Sequence, residues 1–184
     1  MKTTKRTLFA IVAIMLVLAM CFAMTACNNK DDKDDDSKDS KKGPEDVAEA
    51  FLEAMYKDFD VDALVDCLPE EMIDKVVEEE YDGDKDEFLE EGQEMLDGIK
   101  EEMEEEDGSI EWKIGDAEDM DKDELKDAEE AYEEFGLEVT DGKTVEVSLI
   151  ISDDGEEMEQ ELPIGVVEID GEWYIGEMGF DMGF

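Results

Sequence analysis

The hydrophobic pattern opens with Leu8 to Met24, an apolar run broken only by small residues and preceded by Lys2, Lys5 and Arg6. A basic head and an apolar stretch at the start of a chain predict an export signal. The run is also about long enough to span a bilayer, which takes roughly 17–25 residues, so an uncleaved single-pass anchor is the alternative. Asn28 to Gly43 then contains no apolar residue at all. A segment that cannot bury surface has nothing to set against chain entropy, so a disordered tether is expected. Its mean reach as a flexible chain is on the order of 20–25 Å.

From Pro44 the apolar positions recur at helical spacing. Val47, Phe51 and Met55 line one face, with Ala48 and Leu52 beside them and Pro44 at the first helical position. Asp60 caps a second, short helix carrying Val61, Leu64, Val65 and Leu68. Pro69 opens a third, striped by Met72, Ile73, Val76 and Val77, and Asp82-Gly83 breaks the chain. Asp84 with Glu87 has the form of a capping box. It predicts a long helix with Phe88, Met95, Ile99 and Met103 on one face and Leu89 and Leu96 alongside, ending at Gly108.

The period then changes to two. Ile110, Trp112 and Ile114 alternate with Glu111 and Lys113, which predicts a strand. Asp121 to Phe135 returns to helix, with Leu125, Ala128, Tyr132 and Phe135 apolar and Gly136 as its C-cap. Asp141-Gly142 reads as a turn, and Val145, Val147, Leu149 and Ile151 alternate strictly after it. Asp154-Gly155 turns the chain into a return strand from Met158 to Ile169, where Pro163 and Gly165 suggest a bulge or an edge. Asp170-Gly171 is a second tight turn. Trp173 and Ile175 then alternate with Tyr174 and Gly176 in the last clear strand. Helices first and antiparallel strands second predict an α+β domain of about four strands over residues 44–184.

Met24-Thr25-Ala26-Cys27 resembles the lipobox of bacterial lipoproteins, with Met in the place of the usual Leu. The other candidate, Cys21, follows Met20, which is too large for that cleavage position. The resemblance implies a signal peptide over 1–26, cut before Cys27, and a diacylglyceryl thioether on Cys27. It gives a tether over 27–43 and places the protein at the cell membrane, lipid-anchored on the extracytoplasmic face, each buried methylene contributing about 0.8 kcal/mol.

The order of elements resembles the nuclear transport factor 2-like superfamily, in the small lipoprotein form common in Gram-positive bacteria. The matching pieces are the opening "PEDVAEAFLEAMYKDFDVDAL", the helices after Pro69 and the closing hairpin "VVEIDGEWYIG", so the likeness runs from Pro44 to about Gly176. It implies N-terminal helices packed on a strongly bent antiparallel sheet, a cone with an internal cavity. The Asp121–Phe135 helix would be an insertion between its strands. Members include enzymes, ligand-binding domains and dimerisation modules, without an invariant catalytic motif, so fold alone does not assign an activity.

Composition narrows the chemistry. Residues 44–184 carry 54 acids against eight lysines, a net of −46. Such a field repels nucleic acid and anionic lipid head groups, and favours a diffuse cloud of cations where acids crowd, as in Glu101 to Asp107. The chain has no His, and Arg6 is its one Arg. A mature chain without imidazole or guanidinium has no Ser–His or Cys–His nucleophile pair, no His-containing zinc site and no bidentate grip on phosphate. With Cys21 removed and Cys27 lipidated, Cys67 stands alone, so no intramolecular disulfide is available. Beside Leu68 and near Leu64 it reads as a buried, inert thiol.

Four groups are candidates for sites. Trp112, Trp173 and Tyr174 sit on predicted strands, as core packing or as the wall of a cavity for an apolar or aromatic ligand. Met178, Phe180, Met182 and Phe184 alternate with Glu177, Gly179, Asp181 and Gly183, either as a sheet extension packed on the core or as an edge for a partner. Asp119, Asp121, Asp123 and Glu130 stand at calcium-loop spacing, but Glu124 replaces the Gly of the sharp turn, and an N-capped helix is the competing reading. Asp82-Gly-Asp84-Lys-Asp86 is a weaker fragment, with Gln93 at the terminal position. No cofactor is called for. The expectation is a non-catalytic module binding a protein partner or a small apolar ligand; the alternatives are a carboxylate-only enzyme and a cation-responsive envelope protein.

Overall fold

A computed structural model of the chain describes residues 42–105, 108–153 and 156–178. The predicted signal peptide, Cys27 and all but the end of the tether lie outside them, as do Asp154 and Gly155, where a turn is predicted, and Phe180, Met182 and Phe184. Helices come first and a four-stranded antiparallel open sheet follows, an α+β arrangement.

Helix α1 spans Pro44–Glu53 and runs on into a π-helical turn, Ala54–Asp58. The Asp46 carboxylate accepts from the Gly43 N–H at 2.8 Å, tying down the entry to α1. The π turn ends at Phe59, whose φ of 51° lies in the left-handed region. That conformation is held from a distance: the Gln93 amide donates to the Phe59 carbonyl at 2.8 Å and accepts from the Val61 N–H at 3.2 Å. Asp60 then caps α2 (Val61–Val65) through the amides of Asp62 and Ala63. Helix α3 covers Glu70–Glu80 behind Pro69, and α4 covers Lys85–Glu105, its start capped by Asp84 through the Glu87 N–H at 3.1 Å.

The sheet runs in simple order: β1 (Ser109–Asp119), β2 (Val139–Asp153), β3 (Glu156–Ile169) and β4 (Glu172–Met178), with α5 (Lys122–Glu133) between β1 and β2. Asp170 and Gly171 both take positive φ, 53° and 82°, the tight turn that suits a two-residue hairpin. Gly136, at φ 80°, follows α5 as its expected C-terminal glycine.

Two expectations are corrected. Asp141-Gly142 is not a turn; both residues lie inside β2. Glycine stands there because a Cβ would come within 2.7 Å of Met120 Sδ and 2.8 Å of Leu125 Cδ1, so its absence lets α5 and its leading loop press onto the strand. The helix predicted over Asp121–Phe135 is shorter, since Asp121 is its cap and the chain turns after Glu133.

Because directly paired residues share a face and successive residues alternate, the register sorts the core. One face carries Val145, Val147, Leu149, Leu162, Ile164, Val166 and Ile175, all at most 4% exposed. Helix α1 packs against all four strands, with its continuation Tyr56 beside Trp112 on this face, ring centroids 6.5 Å apart. The other face carries Val167, Ile169 and Val139, which join Ala128 and Tyr132 of α5 and Met72 of α3 in a second buried cluster.

Candidate functional site

The sheet register builds an apolar ladder on the α1 face. Ala117, Val145 and Ile164 form one row; Ile114, Val147 and Leu162 the next; then Trp112, Leu149 and Gln160; then Ile110, Ile151 and Met158. Burial falls along it. Along β2 and β3, Val145 and Ile164 are fully buried at the closed end, whereas Ile151 is half-buried and Met158 45% exposed at the open end; on β1, Ala117, Ile114, Trp112 and Ile110 are half-buried throughout. Among the described residues Met158 is the one exposed large apolar side chain. Covering apolar surface contributes about 25 cal/mol per Å², so an open row of this kind offers a binding contribution that the closed rows have already spent on folding.

The candidate cavity residues do not converge. Trp112, on β1, shares the α1 face with Leu149, its partner in β2. Trp173 is paired with Glu168 at the far side of the sheet, on β4. Tyr174, the next residue, points the other way and packs on the α5 cluster with Met120, Leu125, Phe135 and Leu137. Its hydroxyl donates to Glu172 at 3.0 Å, and burial, helped by that carboxylate, raises its pKa to about 12. The sequence reading passed over Tyr56, Ile110, Ile151 and Met158 as site residues. Their signal was the two-residue period of Ile110 and Ile151, but which rows remain open depends on where α1 ends.

The acids at calcium-loop spacing are spoken for separately. Asp119 ion-pairs with Lys143 at the end of β1, and that ammonium holds its carboxyl below the usual range. Asp121 accepts from the N–H groups of Glu124 (3.0 Å) and Asp123 (2.8 Å), and these hydrogen bonds lower its pKa. Glu130 pairs with Lys126 one helical turn away at 2.6 Å. Asp123 lies in the first turn of α5. The segment is a capped helix, and no three carboxylates or thiols among the described residues stand close enough to hold a metal ion. At the weaker fragment, Asp82 to Asp86 line a hollow open to solvent, with Asp84 engaged as the α4 cap.

Cys67 is 5% exposed, and its thiol donates weakly to the Ala63 carbonyl, 3.4 Å away. Burial pushes its pKa up to about 11, a larger effect than the opposing pull of Lys42. It lacks the thiolate character of a nucleophile. Met178 is the last described residue of β4 and pairs with Ile164. Among the described residues no helix is long and apolar enough to cross a membrane.

No protein-family model, curated protein or solved structure matches this chain.

Proposed function

We propose that the chain is a lipid-anchored extracytoplasmic binding module, non-catalytic, of the nuclear transport factor 2-like cone type. Cys27 carries the anchor and 28–43 lifts the domain off the membrane. The open end of the ladder takes an apolar ligand or an apolar segment of a partner protein. The observation that carries the binding role is the fall in burial from Ile164 to Met158 along one face of the sheet, apolar except at Gln160. The acidic surface repels anionic membrane and nucleic acid, and leaves this row as the place where a neutral apolar group gains most by leaving water.

Two measurements test it. Cys27→Ser should release the chain from the membrane fraction; a chain still held there would replace the lipid anchor by an uncleaved span. For binding, a photoactivatable benzophenone residue is placed at Met158 in the anchored chain, and at Glu161 on the opposite face as control. An adduct heavier than the chain itself, formed from position 158 and not from 161, is expected. Equal labelling at both positions, or only internal cross-links, removes the binding role.

A further inference from the structure

Strand β1 is an edge of the sheet, with β2 on one side of it only. What its other side presents follows from β2, which runs without a bulge from Asp141 to Asp153. The Gly142 carbonyl accepts from the Met120 N–H at 3.1 Å, and the Glu146 carbonyl oxygen would lie 2.9 Å from a Cβ on Gly115. The even-numbered residues of β2 thus turn their polar groups to β1. Ile150 and Ser148 are among them, so they exchange hydrogen bonds with their partners Glu111 and Lys113. The residues between and beside those two, Ile110, Trp112 and Ile114, then turn their N–H groups and carbonyls away from β2. Among the described residues no strand receives them. Their side chains are half-buried on the α1 face, while Glu111 and Lys113 are exposed on the other.

We infer that this edge pairs with the same edge of a second copy of the chain, antiparallel, about a twofold axis at Trp112. Charge is the first argument. That axis sets Glu111 of each copy opposite Lys113 of the other, whereas an axis at residue 111 or 113 would set Glu111 or Lys113 against itself. Among the described residues Lys113 makes no ion pair within its own chain, although acids surround it in the sequence. Hydrogen bonding is the second argument. The same axis pairs Trp112 with Trp112 and Ile110 with Ile114, so every outward N–H meets an outward carbonyl. Burial is the third. The rows of the ladder, which end half-buried at β1, run on into the second sheet on the same face. Such a contact is isologous and closes at two copies. The shared negative charge of the two domains opposes it, so the dimer belongs to salt concentrations that screen that repulsion. Met158, two strands away on β3, is left open to a ligand.

The register makes the inference testable in the full chain. Isotope-labelled Glu111→Cys protein is mixed with unlabelled Lys113→Cys protein in solubilised membranes and oxidised, and the disulfides are identified by peptide mapping. Directly opposed residues of this kind have Cα atoms about 4.5 Å apart, within disulfide reach, whereas 111 to 111 or 113 to 113 is a diagonal of about 7–8 Å. A 111–113 link between labelled and unlabelled chains should form in the mixture, at least tenfold above the 111–111 or 113–113 link of either variant alone. Equal yields, or no 111–113 link because another protein's strand holds the edge, overturns the inference. Sedimentation supplies a reading free of new cysteines. The unaltered chain should be dimeric at about 0.15 M salt and dissociate towards 0.01 M, as the screening length grows. Lys113→Glu should weaken the dimer at least tenfold, and adding Glu111→Lys to it should restore the parent's affinity to within about threefold, since the pair is then merely reversed. A monomeric parent, a dimer unmoved by Lys113→Glu, or a double variant that stays monomeric overturns it too.

Discussion

The Tyr132 hydroxyl, on α5, donates to the Ile175 carbonyl of β4 across 2.6 Å in a buried setting. With the Cys67 carbonyl accepting the Ile175 N–H at 2.9 Å, the outer edge of β4 is closed at that residue by two groups far away in sequence. Edge strands left open invite pairing with other chains, so this closure both stabilises the fold and directs association elsewhere.

Tyr132→Phe removes the donor and leaves the Ile175 carbonyl buried without it. A loss of about 1–3 kcal/mol in urea unfolding, with an unchanged m value, is expected. The pH dependence has a definite sign. Burial raises the Tyr132 pKa above its ordinary 10.0, so its contribution is full below about pH 10 and is lost as pH rises beyond it. The gap between the parent and Tyr132→Phe should stay flat from pH 6 to 9 and narrow above 10. A gap under about 0.5 kcal/mol, or one that grows with alkali, would contradict the bond's role.

Gly115 and Gly142 separate two uses of glycine that look alike in the sequence. A Cβ on Gly115 would lie 2.9 Å from the Glu146 carbonyl oxygen, a backbone atom of the paired strand. One on Gly142 would meet only the ends of Met120 and Leu125, which can swing aside. Gly115→Ala should therefore cost more stability than Gly142→Ala, by at least about 1 kcal/mol. Equal midpoints in thermal melts of the two variants would show that β1 and β2 shift apart freely.

These positions also mark how far the fold could be read from the chain. Local punctuation was legible: Asp60, Pro69, Asp121, Gly136 and Asp170-Gly171 bound their elements because capping and turn chemistry act within a few residues. The π turn at Ala54–Asp58 was not, since it ends on a left-handed Phe59 gripped by Gln93 from another helix. Gly142 was misread because a glycine beneath a helix and a glycine in a turn follow Asp equally well. For the site, alternation alone separates Trp173 from Tyr174. That Trp112 meets Tyr56 depends on α1 lying over the sheet, which no short window of sequence contains.

Cys67 gives a thiol clock for opening of the domain. With its pKa raised to about 11 by burial and its side chain 5% exposed, the thiolate fraction at pH 8 is small and its access smaller. An aromatic disulfide reagent should leave it unmodified in the native chain and react with it at the rate of unfolding in denaturant. Prompt reaction at pH 8 without denaturant would mean that the segment carrying the Cys67–Ile175 bond opens on its own, and that the β4 edge is not closed as described.

Residues 44–184 hold 54 acids and eight lysines, and the ion pairs of Lys57, Lys126 and Lys143 lie at the surface, where each is worth little. Repulsion across the domain outweighs them, so the melting temperature should rise as salt increases from about 0.01 M to 0.15 M and the screening length falls from about 30 Å to about 8 Å. Calcium and magnesium at equal ionic strength should raise it equally. Asp119 is bound to Lys143, Asp121 caps α5 and Glu130 holds Lys126, so no ring of free carboxylates selects one ion by size at that segment. A calcium shift exceeding magnesium's by several degrees, abolished by Asp121→Asn with Asp123→Asn, would replace this account by an ordered calcium site. The cation-responsive reading of the protein would then take precedence over the binding module.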